Sequence, residues 1–173
     1  PESLIEKWNV ARQYGTDVHL EIENWLKEGM MPKDEKSIAA TKWIGGYVSR
    51  PNIDTFSEVI VYSKELGIAG TIDILMMNKN TEEYVLIDWK TSKKIDMNSF
   101  NGKKGIKKET SKIEDCNYNH YALQLSLYRY ILEEYYNINV TRQLVAHLKD
   151  DGVQSYSVPY MKDDIINMVN SIS

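Results

Sequence analysis

The stretch YVLIDWKTSKK, residues 84–94, decides how this chain is read. Tyr84, Val85, Leu86 and Ile87 are residue types that fill a strand buried in a sheet. The run then ends in Asp88, Trp89 and Lys90. Side chains alternate along a strand, so Asp88 and Lys90 share one face while Val85, Ile87 and Trp89 share the other. The two charges are expected where the strand surfaces, at an edge of the sheet.

Outward from this stretch the hydrophobic period changes twice. Residues 57–63 and 67–77 are rich in Ile, Val and Tyr and join 84–90 as three consecutive strands. Upstream, Leu4, Ile5, Trp8, Ala11, Val18, Ile22, Trp25 and Leu26 recur at helical spacing until Gly29 and Pro32 stop the helix. A shorter helix is expected over 34–48. Downstream, a polar, glycine-containing loop over 92–115 leads to a helix over 120–136. Strand candidates at 141–148 and 153–158 meet at Asp150-Asp151-Gly152, a turn signal, and an amphipathic helix follows. The order predicts an α/β fold with a central mixed β-sheet flanked by helices.

The 173 residues, 42% apolar and 27% charged, fit one globular domain over 1–173. No apolar run approaches the roughly 18 residues of a membrane span, and no signal peptide is evident, so an intracellular, reducing compartment and no membrane partner are expected. Cys116 is the single cysteine, which excludes an internal disulfide and any four-cysteine zinc or iron–sulfur site. The chain begins Pro1-Glu2-Ser3 without an initiator methionine and is expected to be processed or part of a longer polypeptide.

The net charge of −4 hides a lopsided distribution. Lys90, Lys93, Lys94, Lys103, Lys104, Lys107, Lys108 and Lys112 crowd one segment that holds only Asp96 and Glu109 in opposition. Such a segment is either a solvated lysine-rich loop or a local landing place for a polyanion.

Asp73, in the preceding strand, also stands between isoleucines. If the intervening hairpin centres between Asn80 and Thr81, Asp73 falls directly opposite Asp88. Opposed residues have Cβ atoms about 4.5–5.5 Å apart, and like charges there repel. Two readings follow. The acids reach solvent or pair with lysines at the strand ends, or a divalent cation bridges them. A carboxylate pair, a metal and Lys90 on the same face suit phosphodiester hydrolysis.

These residues resemble the PD-(D/E)XK nuclease superfamily. Asp88-Trp89-Lys90 matches (D/E)XK, and the neighbouring motifs are similar to those of the RecB-type nuclease domains. Gly70-Thr71-Ile72-Asp73 looks like GxxD, with Ile72 in place of the superfamily's proline. Gln124 to Tyr128 looks like the QxxxY helix motif. Gly15-Thr16-Asp17-Val18-His19, followed by Glu23, looks like the upstream histidine motif. The resemblance implies a restriction-endonuclease-like αβββαβ core without the iron–sulfur cysteines of some relatives. It implies one or two Mg²⁺ or Mn²⁺ ions held by His19, Asp73, Asp88 and the Trp89 main-chain carbonyl, with Glu58 as a further candidate. Lys90 would orient the attacking water and stabilise the transition state, and Gln124 and Tyr128 would position substrate or that lysine.

The implied activity is a metal-dependent deoxyribonuclease, expected to act as an exonuclease on single-stranded or end-opened DNA. With no helicase motif in the chain, a helicase or other replication or recombination partner would be a separate element. Lys93, Lys94, Lys103, Lys104, Lys107 and Lys108 would meet phosphates, and Phe100, Tyr118 or Tyr121 would stack on bases. An RNA endonuclease of the cap-snatching type and a non-catalytic nucleic-acid-binding module are the alternatives. Without the resemblance, each residue also has a plainer role. His19 and Gly15 would serve helix packing, Gln124 and Tyr128 would form a polar helix edge, and Glu23 would be a surface acid.

Overall fold

The computed structural model describes residues 3–171 and realises the expected element order. Helix α1 spans Leu4–Glu28 and α2 spans Glu35–Val48. Strands β1 (Ile53–Ser63), β2 (Ile68–Asn78) and β3 (Glu83–Lys90) follow, then α3 (Asn117–Tyr136), β4 (Val140–Lys149), β5 (Gly152–Ser157) and α4 (Lys162–Asn170). Ser3 and Glu6 form a capping box at the start of α1, and Gly29, in the left-handed region at φ 69°, ends it. Asp34 caps α2 by accepting the Lys36 N–H.

The sheet order is β1-β2-β3-β4-β5. All neighbours are antiparallel except β3 and β4, which run parallel with α3 as their crossover. The strand that carries Asp88 and Lys90 is therefore the central one rather than an edge strand, as expected above. Its charges come out at the strand's end, not at the sheet's side. The α3 crossover causes this, because it delivers β4 beyond β3 and covers that edge.

Two apolar layers hold the sheet between helices. On one face, Val18 and Ile22 of α1 and Ala40 and Ile44 of α2 pack on Ile74, Met76, Ile87, Trp89, Ala146 and Leu148. On the other, Ala122, Leu125, Tyr128, Ile131 and Leu132 of α3 pack on Val61, Ile72, Leu75, Leu86 and Val145. Each fully buried aliphatic side chain contributes about 1.5–3 kcal/mol by leaving water. Trp89 is buried on the first face and meets Trp43 edge to face at 5.8 Å. Among the described residues no helix is long and apolar enough to cross a membrane.

Two strands break the alternation rule at one place. Ile72 faces α3, whereas Ile74, two residues on, faces α1 and α2. In β1, Ile53 faces α1 and α2, whereas Val59 and Val61 face α3. Both strands therefore turn over in between, and Glu58, at φ 52°, is in the left-handed region there. That conformation costs a residue with a Cβ about 1–2 kcal/mol.

Candidate functional site

The hairpin register is the one that sets Asp73 against Asp88. Asn78 pairs with Glu83, and each following step continues to Ile74 opposite Ile87. The ladder then stops, one position short of the aspartates. On the other side of β2, Ser57 pairs with Ile74 and Val59 with Ile72, and Glu58 and Asp73 lie unpaired between them. Glu58, Asp73 and Asp88 thus occupy one cross-strand row on three adjacent strands, where regular pairing gives way to side chains.

Helix α1 closes over this row. A Cβ on Gly15 would lie 3.1 Å from Thr91 Oγ1, so the bare glycine lets the helix approach the end of β3. One turn on, His19 Nε2 donates to the Trp89 carbonyl at 3.2 Å, and Nδ1 stands 3.5 Å from Asp73 Oδ1. Asp73 Oδ2 accepts the Trp89 N–H at 2.7 Å. The Trp89 peptide, released from β2, is satisfied at both ends by side chains of the site.

One donor atom each from His19, Glu58 and Asp73 lie within 4.8 Å of one another, a cluster that fits a divalent metal ion. Asp88 is outside that trio. It is 5% exposed, and Lys90 Nζ stands 2.8 Å from its Oδ2. The contact is an ion pair, and no other donor reaches Oδ2, which is buried. A buried carboxylate held by a single ammonium, beside a convergent imidazole and two further carboxylates, is an excess of negative charge that a cation would complete.

The electrostatics point the same way. Burial, then the Asp73 charge, pushes Asp88 up to about 6, against the opposing pull of Lys90 and His19. Burial and Asp73 likewise raise Glu58. Burial alone would lower His19 and Lys90, yet both are raised. For His19 the bond and charge of Asp73 outweigh burial, and for Lys90 the Asp88 carboxylate does. Acids and bases shift upward together, the mark of a site with excess negative charge.

Gln124 and Tyr128 lie elsewhere. Gln124 Nε2 donates to the Tyr128 hydroxyl at 3.0 Å, and the Tyr128 ring lies on Gly70, where an added Cβ would come within 2.4 Å of it. The glycine of GxxD and the tyrosine of QxxxY are therefore one packing contact. The side chain that meets Lys90 is Tyr121, its ring centroid 4.5 Å from Nζ. The sequence suggested Tyr121 as a base-stacking residue. Its spacing of three from Gln124 could have signalled a place on the same helix face.

Other residues settle into packing. His147 is buried, and its Nε2 donates to the Ser92 carbonyl at 2.6 Å. Lys36 Nζ donates to the Thr91 carbonyl at 3.1 Å, so two side chains anchor the exit of β3. Glu23 pairs with Lys27, and the Tyr118 hydroxyl donates to the Ser157 carbonyl. In the loop, Lys93, Lys94, Lys103, Lys104, Lys107 and Lys108 are all exposed. Lys94 pairs with Asp96 at 2.9 Å, whereas the side chains of the other five make no ion pair or hydrogen bond among the described residues. Phe100, in the same loop, is exposed.

No described protein family and no curated protein matches this sequence. Among solved structures, that of a candidate exonuclease from Eubacterium rectale is similar at a TM-score of 0.46 and 14% identity, over 93% of this chain and 64% of that one. This chain thus spans just under two thirds of that protein's length. At that distance, function rests on the chain's own residues.

Proposed function

We propose that this chain is a Mg²⁺- or Mn²⁺-dependent deoxyribonuclease of the RecB-type PD-(D/E)XK kind, acting as an exonuclease on single-stranded or end-opened DNA. One observation carries the reading: His19, Glu58 and Asp73 offer three donors for one cation. They do so beside the Asp88–Lys90 pair, whose carboxylate is buried, at the end of the central strand.

His19, Glu58 and Asp73 would hold the ion, with the Trp89 carbonyl and Asp88 as further oxygen donors. Bound there, a divalent ion supplies Lewis acidity toward a phosphate and lowers the pKa of its water. His19 serves as a ligand only through a bare ring nitrogen, so a proton on Nδ1, the nitrogen facing Asp73, must leave first, while Nε2–H can keep the Trp89 carbonyl. Lys90 brings a fixed positive charge that opposes the charge growing on phosphate oxygens as the bond breaks. The unpaired loop lysines offer the backbone of the nucleic acid a path away from Lys90.

The test is incubation of linear and circular single-stranded DNA, and of RNA of the same sequence, with Mg²⁺ or Mn²⁺. Linear DNA is expected to disappear while circles persist, and Asp88→Asn and Lys90→Ala are expected to abolish cleavage. Wild-type rates in both variants would refute the mechanism. Preference for RNA would replace it with an RNA endonuclease, and tight DNA binding without turnover would leave a binding module.

A further inference from the structure

Lys90 has a partner that no motif assigns. Its ammonium stands 2.8 Å from Asp88 Oδ2 and 4.5 Å from the centroid of the Tyr121 ring, between β3 and α3. An ammonium is a compact charge on a flexible four-carbon stem, so one ion pair sets its distance from a carboxylate but not its direction. An aromatic face adds the missing restraint, because the attraction requires the charge to sit over the ring. The Tyr121 hydroxyl makes no hydrogen bond among the described residues, so the ring face alone is engaged. Gln124 and Tyr128, farther along α3, are taken up with each other and with Gly70.

We propose that Tyr121 is the positioning residue for Lys90: its ring and the Asp88 carboxylate together fix where the ammonium stands beside the carboxylate row. The catalytic consequence rests on the nuclease reading. Positioning itself does not, and the two can be measured apart.

The experiment combines NMR of lysine-labelled protein with steady-state kinetics on Tyr121→Phe, Tyr121→Leu and Tyr121→Met. Two non-aromatic variants are used so that a folding defect in one does not decide the outcome. Ring current is expected to move the Lys90 ε-methylene protons upfield in the wild type and in Tyr121→Phe, and the shift is expected to vanish in Leu and Met. With Mn²⁺ saturating, kcat should fall about tenfold or more in the Leu and Met variants, with KM and Mn²⁺ affinity unchanged. Tyr121→Phe should stay within about twofold of wild type. Absence of the upfield signal from the wild type overturns the proposal. So does a Phe variant as slow as Leu, or a loss that appears in KM or metal affinity instead of kcat. A wild type that shows the signal but cleaves nothing overturns the nuclease reading and the catalytic role with it.

Discussion

Gly70→Ala tests whether the two motif segments are one mechanical unit. The Cβ it adds would sit 2.4 Å from Tyr128 Cε1 and 2.7 Å from Cζ and the hydroxyl oxygen. Carbon atoms prefer about 3.5–4.0 Å, so the ring must move by about 1 Å. Tyr128 is buried among Val61, Ile72, Leu125 and Leu132 and cannot swing away freely. Overpacking of this kind costs about 1–3 kcal/mol. The stiffer unfolded chain returns about 0.4–1 kcal/mol, since Gly70 has no positive φ to preserve. The net expectation is a loss of about 1–2 kcal/mol, read as a lower urea midpoint at unchanged slope. In a Tyr128→Leu background the ring is gone, and Gly70→Ala should be neutral or stabilising. Equal effects in the two backgrounds, within about 0.5 kcal/mol, would refute the contact. So would an alanine variant as stable as wild type.

Three further outcomes follow from the site. In EDTA, the protein should gain about 1 kcal/mol of stability between pH 7.5 and 5.5, because Asp88 at about 6 takes up a proton more readily folded than unfolded, where it sits near 3.8. This stability is present at low pH and lost as pH rises through 6, and the raised His19 adds to it in the same direction. A urea midpoint that falls on acidification, or one that behaves alike in Asp88→Asn, contradicts this. Mn²⁺ at about a hundred times its Kd should stabilise the wild type by about 2.7 kcal/mol, seen as a rise in Tm. Asp73→Asn keeps an acceptor for the Trp89 N–H but should lose that rise. Replacing Lys103, Lys104 and Lys107 with Gln should lower the slope of log affinity for single strands against log salt by about 2, and an unchanged slope removes the loop from the interface.

The sequence already contained most of the sheet's logic. The polar turn at Lys79 to Glu82 fixed the hairpin register, and with it the approach of Asp73 to Asp88. Boundaries slipped where polar residues begin an element: β1 starts at Ile53 through Asp54 and Thr55, and α3 at Asn117, ahead of the expected 57 and 120. The central place of β3 was hidden because strand order depends on where α3 returns the chain, which periodicity does not encode. Glu58 was legible as an acid but not as a left-handed residue, since no glycine marked the spot. The partition between Tyr121 and the Gln124–Tyr128 pair depends on helix rotation of a fraction of a turn. Side-chain spacing alone does not resolve that.

The Trp89 peptide has a consequence of its own. Beyond Ile87, β3 remains paired with β4 as far as Lys90 and His147, while β2 no longer follows it. The strand end is thus fastened along one side by backbone and latched along the other by Asp73 and His19. A cation bound through Nδ1 and Oδ1 would draw charge from the same two side chains that hold the latch. The Trp89 amide then becomes an internal gauge, its hydrogen-exchange rate reporting occupancy of the site from the backbone, without substrate and without an added label.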